Sequence, residues 1–244
     1  DGYYANSPKG TAKIKNMIIR SIPDWSTVIA EMMSNGIDWT FQVPDEIADN
    51  LSQTPIVERI EGPSMRIAYI VLDAAGVSAE TYGKDHPLTN LKVRQALNHA
   101  IDSQLIVDFL VKGNSRVIHT PCYLGMFGCS DNVTKYEYNP KKAKALLAEA
   151  GYPNGFEFDL WAYRDKPITE AVAAELAKIG ITANVKYVKL SALTKARNAN
   201  QIMAYHGTWG YNSAPDIGAI SNHFVSGSSR NMNKNPELES LFET

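Results

Sequence analysis

A chain of 244 residues that is 44% hydrophobic and 20% charged has the balance of a globular protein, with room for one large domain or two small ones. Its net charge of -2 argues against the basic stripe that nucleic-acid domains usually carry. Arg66 and Asp73 interrupt the apolar run "MRIAYIVLDAAG", so no stretch approaches the roughly 20 residues of a membrane-spanning helix.

Taken in chain order, "IKNMIIRSI" (14–22) is rich in Ile, ends at Pro23-Asp24 and predicts a strand. In the next segment Trp25, Val28, Ile29, Met32 and Met33 recur at helical spacing, with Asp24 or Ser26 as N-cap and Gly36 just past the end. "IDWTFQV" (37–43) predicts a second strand, "PDEIADNLSQ" a helix, and "MRIAYIVLD" (65–73) a third strand. The stretch 74–88 has two glycines, a proline and little periodicity, which marks a crossover.

Beyond it, Leu91, Val93, Leu97, Ile101, Leu105, Ile106, Phe109 and Leu110 form one apolar helical face, within which Asp102 can cap a second helix before Gly113. Cys122 and Cys129 enclose "YLGMFG", a spacing foreign to CxxC redox motifs and to four-ligand zinc sites. It fits a disulfide closing a short loop, or two inert buried thiols. "PKKAKALLAEAG" (140–151) is a helix capped by Asn139, opened by Pro140 and ended by Gly151. "GFEFDLWAY", "PITEAVAAELAKIG" and "ITANVKYVKL" then read strand, helix, strand, a βαβ unit with parallel strands. The helix "SALTKARNAN" leads to the strand "IMAYHG", and just past its carboxyl end lies "GTWGYNSAPD" (207–216). Ligand crevices in open α/β sheets form outside those ends.

Catalytic motifs are missing. No GxGxxG, P-loop, GxSxG elbow or HExxH occurs. His86, His99, His119, His206 and His223 fall neither at i, i+4 nor in a cluster with carboxylates. No catalytic residue, metal ligand or cofactor is expected, and binding is favoured over catalysis. The chain begins without an initiator Met or a leader pattern and ends on "NPELESLFET", a helix cut in mid-course, so it reads as a piece of a longer protein.

"LTNLKVRQALNHAIDSQLIVDFLVKG" resembles the hallmark helix of the extracytoplasmic solute-binding proteins of peptide and nickel ABC importers, whose members read like "VRQAL…AID…I". Four further segments agree in order: "IPDWSTVIAEMMSNGIDW", "YNPKKAKALLAEAGYPNGFEFDLWA", "LAKIGITANVKYV" and "NPELESLF". The resemblance implies a periplasmic-binding-protein-like α/β fold of the class II type, with a mixed, largely parallel sheet flanked by helices. Residues 1–75 would be part of a first lobe and its crossover, and 76–244 a second lobe truncated at its C-terminus. It also implies capture of oligopeptide or dipeptide-like solutes between two lobes, and delivery to ABC permease subunits in the membrane. The protein would be an exported, periplasmic monomer whose signal peptide lies outside this fragment. Two other readings are a ligand-sensing domain of a transcriptional regulator with the same fold, and a hydrolase grown from a binding scaffold, for which no nucleophile is visible.

Within the family, "GTWGYNSAPD" is where peptide binders usually carry tryptophan, two residues and an aspartate that pairs with the ligand ammonium. This chain keeps Trp209 but has Asn212 in the aspartate's place, and Pro215-Asp216 where relatives have acid-Pro, so Asp216 substitutes or the ligand is not a simple peptide. Arg197 matches a position where several peptide binders direct arginine at a ligand carboxylate, beside the alternative of an exposed helix charge. Arg164 is a second cationic candidate, His206 fills a position that can be basic, and Tyr211 and Tyr163 are rings near the same edge. Trp161 and Trp25, at periodic positions, read as core.

Overall fold

Asp24 starts the first helix by accepting a hydrogen bond from the Thr27 amide at 3.1 Å, which satisfies one of the donors a helix start leaves without a partner. The helix, α1 (Trp25–Met33), ends where Asn35 turns to φ 57°, and α2 (Asp45–Leu51) follows Pro44. Both belong to the first of two compact units, Asp1–Gly62; the second is Pro63–Thr244. The computed structural model describes residues 13–242, apart from 42, 63, 112, 114 and 211–215.

The strands expected over 14–22 and 37–43 do not form among the described residues of the first unit. Ile18 and Ile19 are 88% and 87% exposed, and Trp39 and Phe41 stack on each other in solvent. An extended segment becomes a strand only when another backbone takes up its N–H and C=O groups. High β-propensity cannot substitute for that partner.

In the second unit a single sheet organises the chain. It contains β1 (Arg66–Leu72), β2 (Glu157–Ala162), β3 (Thr182–Tyr187) and β4 (Ala204–Gly210), in the order β1-β4-β2-β3. β1 runs antiparallel to β4, with Ile67 opposite Trp209 and Leu72 opposite Ala204. β2 runs parallel to both β3 and β4, and α7 (Lys166–Ala177) connects β2 to β3. The architecture is therefore α/β, with a mixed sheet flanked by helices.

Between β1 and β2 the crossover holds α3 (Ala79–Tyr82) and a 3-10 turn, Pro87–Thr89. Next come α4 (Leu91–Ala100), capped by Asn90, α5 (Ser103–Leu110), capped by Asp102, and α6 (Pro140–Glu149), capped by Asn139. Extended backbone at Ile101 breaks the register between α4 and α5, so the apolar face expected to be continuous is not. Val93, Leu97 and Ile106 are buried, whereas Leu91, Leu105, Phe109 and Leu110 are exposed. The last helices are α8 (Leu190–Asn198) and α9 (Pro236–Ser240).

The two sides of the sheet are covered differently. On one, Leu160, Phe158 and Ala204 meet Val93, Ala96 and Leu97 of α4, Leu147 of α6 and Leu176 of α7 in the principal core. On the other, Tyr205 packs with Leu193 and Ala196 of α8 and with Met232, while Ile67 meets Met126 and Ile220. Much of that second cover is irregular chain. Cys122 and Cys129 form a disulfide, with Cα atoms 5.9 Å apart, and the loop they close is tied to a later segment where the Ile217 amide donates to the Phe127 carbonyl.

Candidate ligand-binding site

β4 decides which candidate residues meet, because its side chains alternate between the two sides of the sheet. Thr208 points to one side, near its carboxyl end. Its hydroxyl lies 3.1 Å from the Tyr163 hydroxyl, and accepts from Arg66 Nη1 at 3.1 Å and from Arg164 Nη1 at 3.5 Å. Arg164 also donates from Nε to Asp165 at 2.9 Å, so its charge already has a carboxylate partner.

Trp209 points to the other side. It is half-buried, stands edge-on to His223 with ring centres 5.2 Å apart, and has the Arg230 guanidinium over its ring at 5.6 Å. Arg197 reaches this side from α8. Instead of lying on an exposed helix face it is 7% exposed, its guanidinium sits 5.9 Å from the Tyr205 ring centre, and its buried Nε has no hydrogen-bond partner. A buried polar atom left in that state costs free energy until something accepts from it.

Asp216 is exposed, and its carboxylate accepts from the Gly218 amide at 2.7 Å, capping the 3-10 segment Ile217–His223. Tyr211 and Asn212 lie outside the described residues. His206 belongs to the core: it is 2% exposed, its Nδ1 pairs with the Thr169 hydroxyl at 2.7 Å, and burial lowers its pKa. Trp161 is half-buried against the α8 side with Lys186 over its ring, and Trp25 is half-buried in α1.

His223 and Arg230 carried no signal in the sequence, because the 3-10 segment that His223 ends and the chain around Arg230 show neither the strand nor the α-helical period. The Tyr69 hydroxyl meets His223 Nε2 at 2.9 Å, and burial pushes the imidazole pKa down to about 4, helped by the nearby Arg230 and Arg197 charges. The ring is therefore neutral at physiological pH. Both residues line a cleft of about 260 Å³, floored by β1 and walled by Ile118 and Pro121 from the disulfide region and by Ile220 and Phe224.

Buried Asp73, Ser78 and His86 superficially combine the side chains of a hydrolase, but their geometry is structural. Ser78 Oγ and His86 Nε2 both address the same oxygen, Asp73 Oδ2, at 2.6 and 3.1 Å, and all three residues are at most 4% exposed. Burial alone would raise the Asp73 pKa, yet hydrogen bonds from His86, Ser78 and the Val77 amide outweigh it and hold the carboxyl below its ordinary value. The serine donates to the carboxylate, so it is not activated by the histidine. Among the described residues no three His, Cys, Asp or Glu side chains are grouped to hold a metal, and no helix is long and apolar enough to cross a membrane.

The family model for bacterial extracellular solute-binding proteins, family 5 (middle) matches residues 1–231. Heme-binding protein A of Haemophilus influenzae is 31% identical over 224 residues, 87% of this chain and 39% of that protein. The dipeptide-binding protein of Escherichia coli is 29% identical over 226 residues, 88% of this chain and 40% of that one. Among solved structures, a dipeptide binding protein of Pseudoalteromonas in complex with Met-Leu superposes with a TM-score of 0.77 at 23% identity, covering 91% of this chain and 45% of the other, a likeness of fold. This chain thus spans less than half the length of the relatives it matches.

Proposed function

The chain belongs to the bacterial extracellular solute-binding proteins of family 5, and from that premise we propose that it is part of the substrate-binding component of an ABC importer. The whole protein captures dipeptide- or oligopeptide-like solutes between two lobes and hands them to membrane permease subunits. Residues 1–75 belong to the first lobe and its crossover, and 76–244 to the second. It works in the periplasm as a monomer, contacts no nucleic acid and makes or breaks no bond in its ligand. Support for the solute class comes from relatives named for dipeptide and glutathione binding, while another relative is named for heme. No observation favours the regulator reading.

The observation that carries this reading is Arg197, a cation withdrawn from water whose Nε lacks an acceptor. A ligand carboxylate would supply that acceptor, and Trp209, on the same side of the sheet, would add apolar ring surface. Tyr163 can contribute its hydroxyl at the adjoining edge, with Tyr211 and Asn212 following Trp209 in sequence. Arg164 and Asp216 are weaker contributors, since each already has a partner. Lobe closure needs contacts that exist only in the closed state, and these side chains supply this lobe's share.

The test is calorimetry on the full-length protein with a dipeptide panel, after native mass spectrometry of freshly purified protein has looked for a co-purified solute. Arg197→Ala and Trp209→Ala should each weaken the best ligand by about tenfold or more. Unchanged affinity in both variants would remove this site from the reading, and cleavage of a bound peptide would replace binding with catalysis.

A further inference from the structure

Between β1 and the disulfide region lies a cleft whose lining is largely aliphatic and aromatic, and whose only charged side chain among the described residues is Arg230. Resting on the reading of the chain as a solute binder, we propose that this cleft is a subsite for a solute, or part of one, that joins an apolar body to a carboxylate, with Arg230 receiving the carboxylate.

Volume supports the apolar half. A dry cavity of about 150 Å³ lined by aliphatic and aromatic side chains holds benzene, and this cleft measures about 260 Å³. It has room for a phenyl ring and a short methylene chain. Ile67 and Val71, on the β1 floor, and Ile220, in the facing wall, present the hydrocarbon that such a body would bury.

Charge supports the acidic half. Among the described residues no Asp or Glu lines the cleft and Arg230 forms no ion pair. Its guanidinium carbon lies over the Trp209 ring, 5.6 Å from the centre, a contact with the ring that uses up none of its N–H groups and leaves them for a carboxylate. Arg197 adds a second positive charge on the same side of the sheet. His223 contributes no charge of its own, because burial holds its pKa near 4 and Tyr69 occupies Nε2. An ammonium placed here would lose its water and find no anion, so the cleft selects against amines as well as for acids.

The test uses ligand-free full-length protein and three probes that share one apolar body: phenylbutyrate, phenylbutanol and phenylbutylamine. Calorimetry should rank the acid at least about tenfold tighter than the alcohol, the size of one charge-assisted hydrogen bond, with no detectable binding of the amine to about 1 mM. In Arg230→Gln the acid and the alcohol should bind alike, whereas Arg230→Lys should keep part of the preference. Equal binding of the three probes, no binding of the acid, or an undiminished preference in Arg230→Gln overturns the proposal. Should Arg230→Gln fail to fold, the wild-type ranking decides the matter alone. The dipeptide panel reads the transport assignment separately, so this subsite can fail while that assignment stands.

Discussion

The two sides of the sheet were built by different means. One is sealed by α4, α6 and α7, whose apolar stripes interlock with Phe158 and Leu160 in a core with several residues at zero exposure. The other is closed by α8 together with a disulfide-tied loop and a late 3-10 segment, and there a cleft, a buried arginine and a neutral histidine persist. Regular helices can fill the space between themselves and a sheet almost completely. Irregular chain, whose backbone polar groups need partners of their own, leaves room and unspent hydrogen-bonding capacity. Stability is concentrated on the first side, and the recognition we propose falls on the second.

Leu160→Ala attacks the sealed side at a fully buried position and should cost about 3–4 kcal/mol in chemical unfolding. Because the cleft lies on the opposite side, ligand affinity of the protein that stays folded should not change. A comparable loss of affinity would show that the two sides are not independent. On the recognition side, replacing both Cys122 and Cys129 with Ser should cost about 2–3 kcal/mol, since the unfolded chain recovers the freedom of the open loop. Here affinity should fall along with stability, because Ile118 and Pro121 wall the cleft.

Acid should separate the sides further. The folded-state pKa of His223 is about 4 against an ordinary 6.5, so the unfolded chain takes up the proton first. Its contribution is fully present above pH 6.5 and is lost as pH falls from there toward 4, a change of about 3 kcal/mol. His206 shifts in the same direction, so His223→Asn should flatten a pH titration of melting temperature in that window only in part. An unaltered titration would mean that the imidazole is not held neutral. The smallest effect belongs to Lys92→Gln, which removes an exposed pair with Glu149 and should move stability by no more than about 0.5 kcal/mol.

The sealed side was also the legible one. Asn139 as cap, Pro140 in the first turn and Gly151 at φ 91° announced α6, and the alternation of Phe156, Phe158 and Leu160 announced β2, because local rules and tertiary packing agree there. Residues 14–22 show the opposite case: Ile-rich composition promised a strand, but a strand needs a neighbour that no local pattern can guarantee. The recognition side was read only as far as β4 could carry it, to Trp209. Arg197 was visible as a candidate through resemblance, yet its burial depends on α8 docking beside Tyr205, a long-range outcome. His223 and Arg230 join the cleft by way of a segment that follows neither period, and composition alone could not place them.

The order β1-β4-β2-β3 leaves the sheet with two unequal margins. β3 carries Lys186, a charge that discourages a newcomer, while β1 reads "RIAYIVL" with no charge past its first residue and no strand outside it among the described residues. Its outer row of amides and carbonyls is a template for another chain's backbone. A second copy of this polypeptide would find its pairing partner at that margin before it found one at β3.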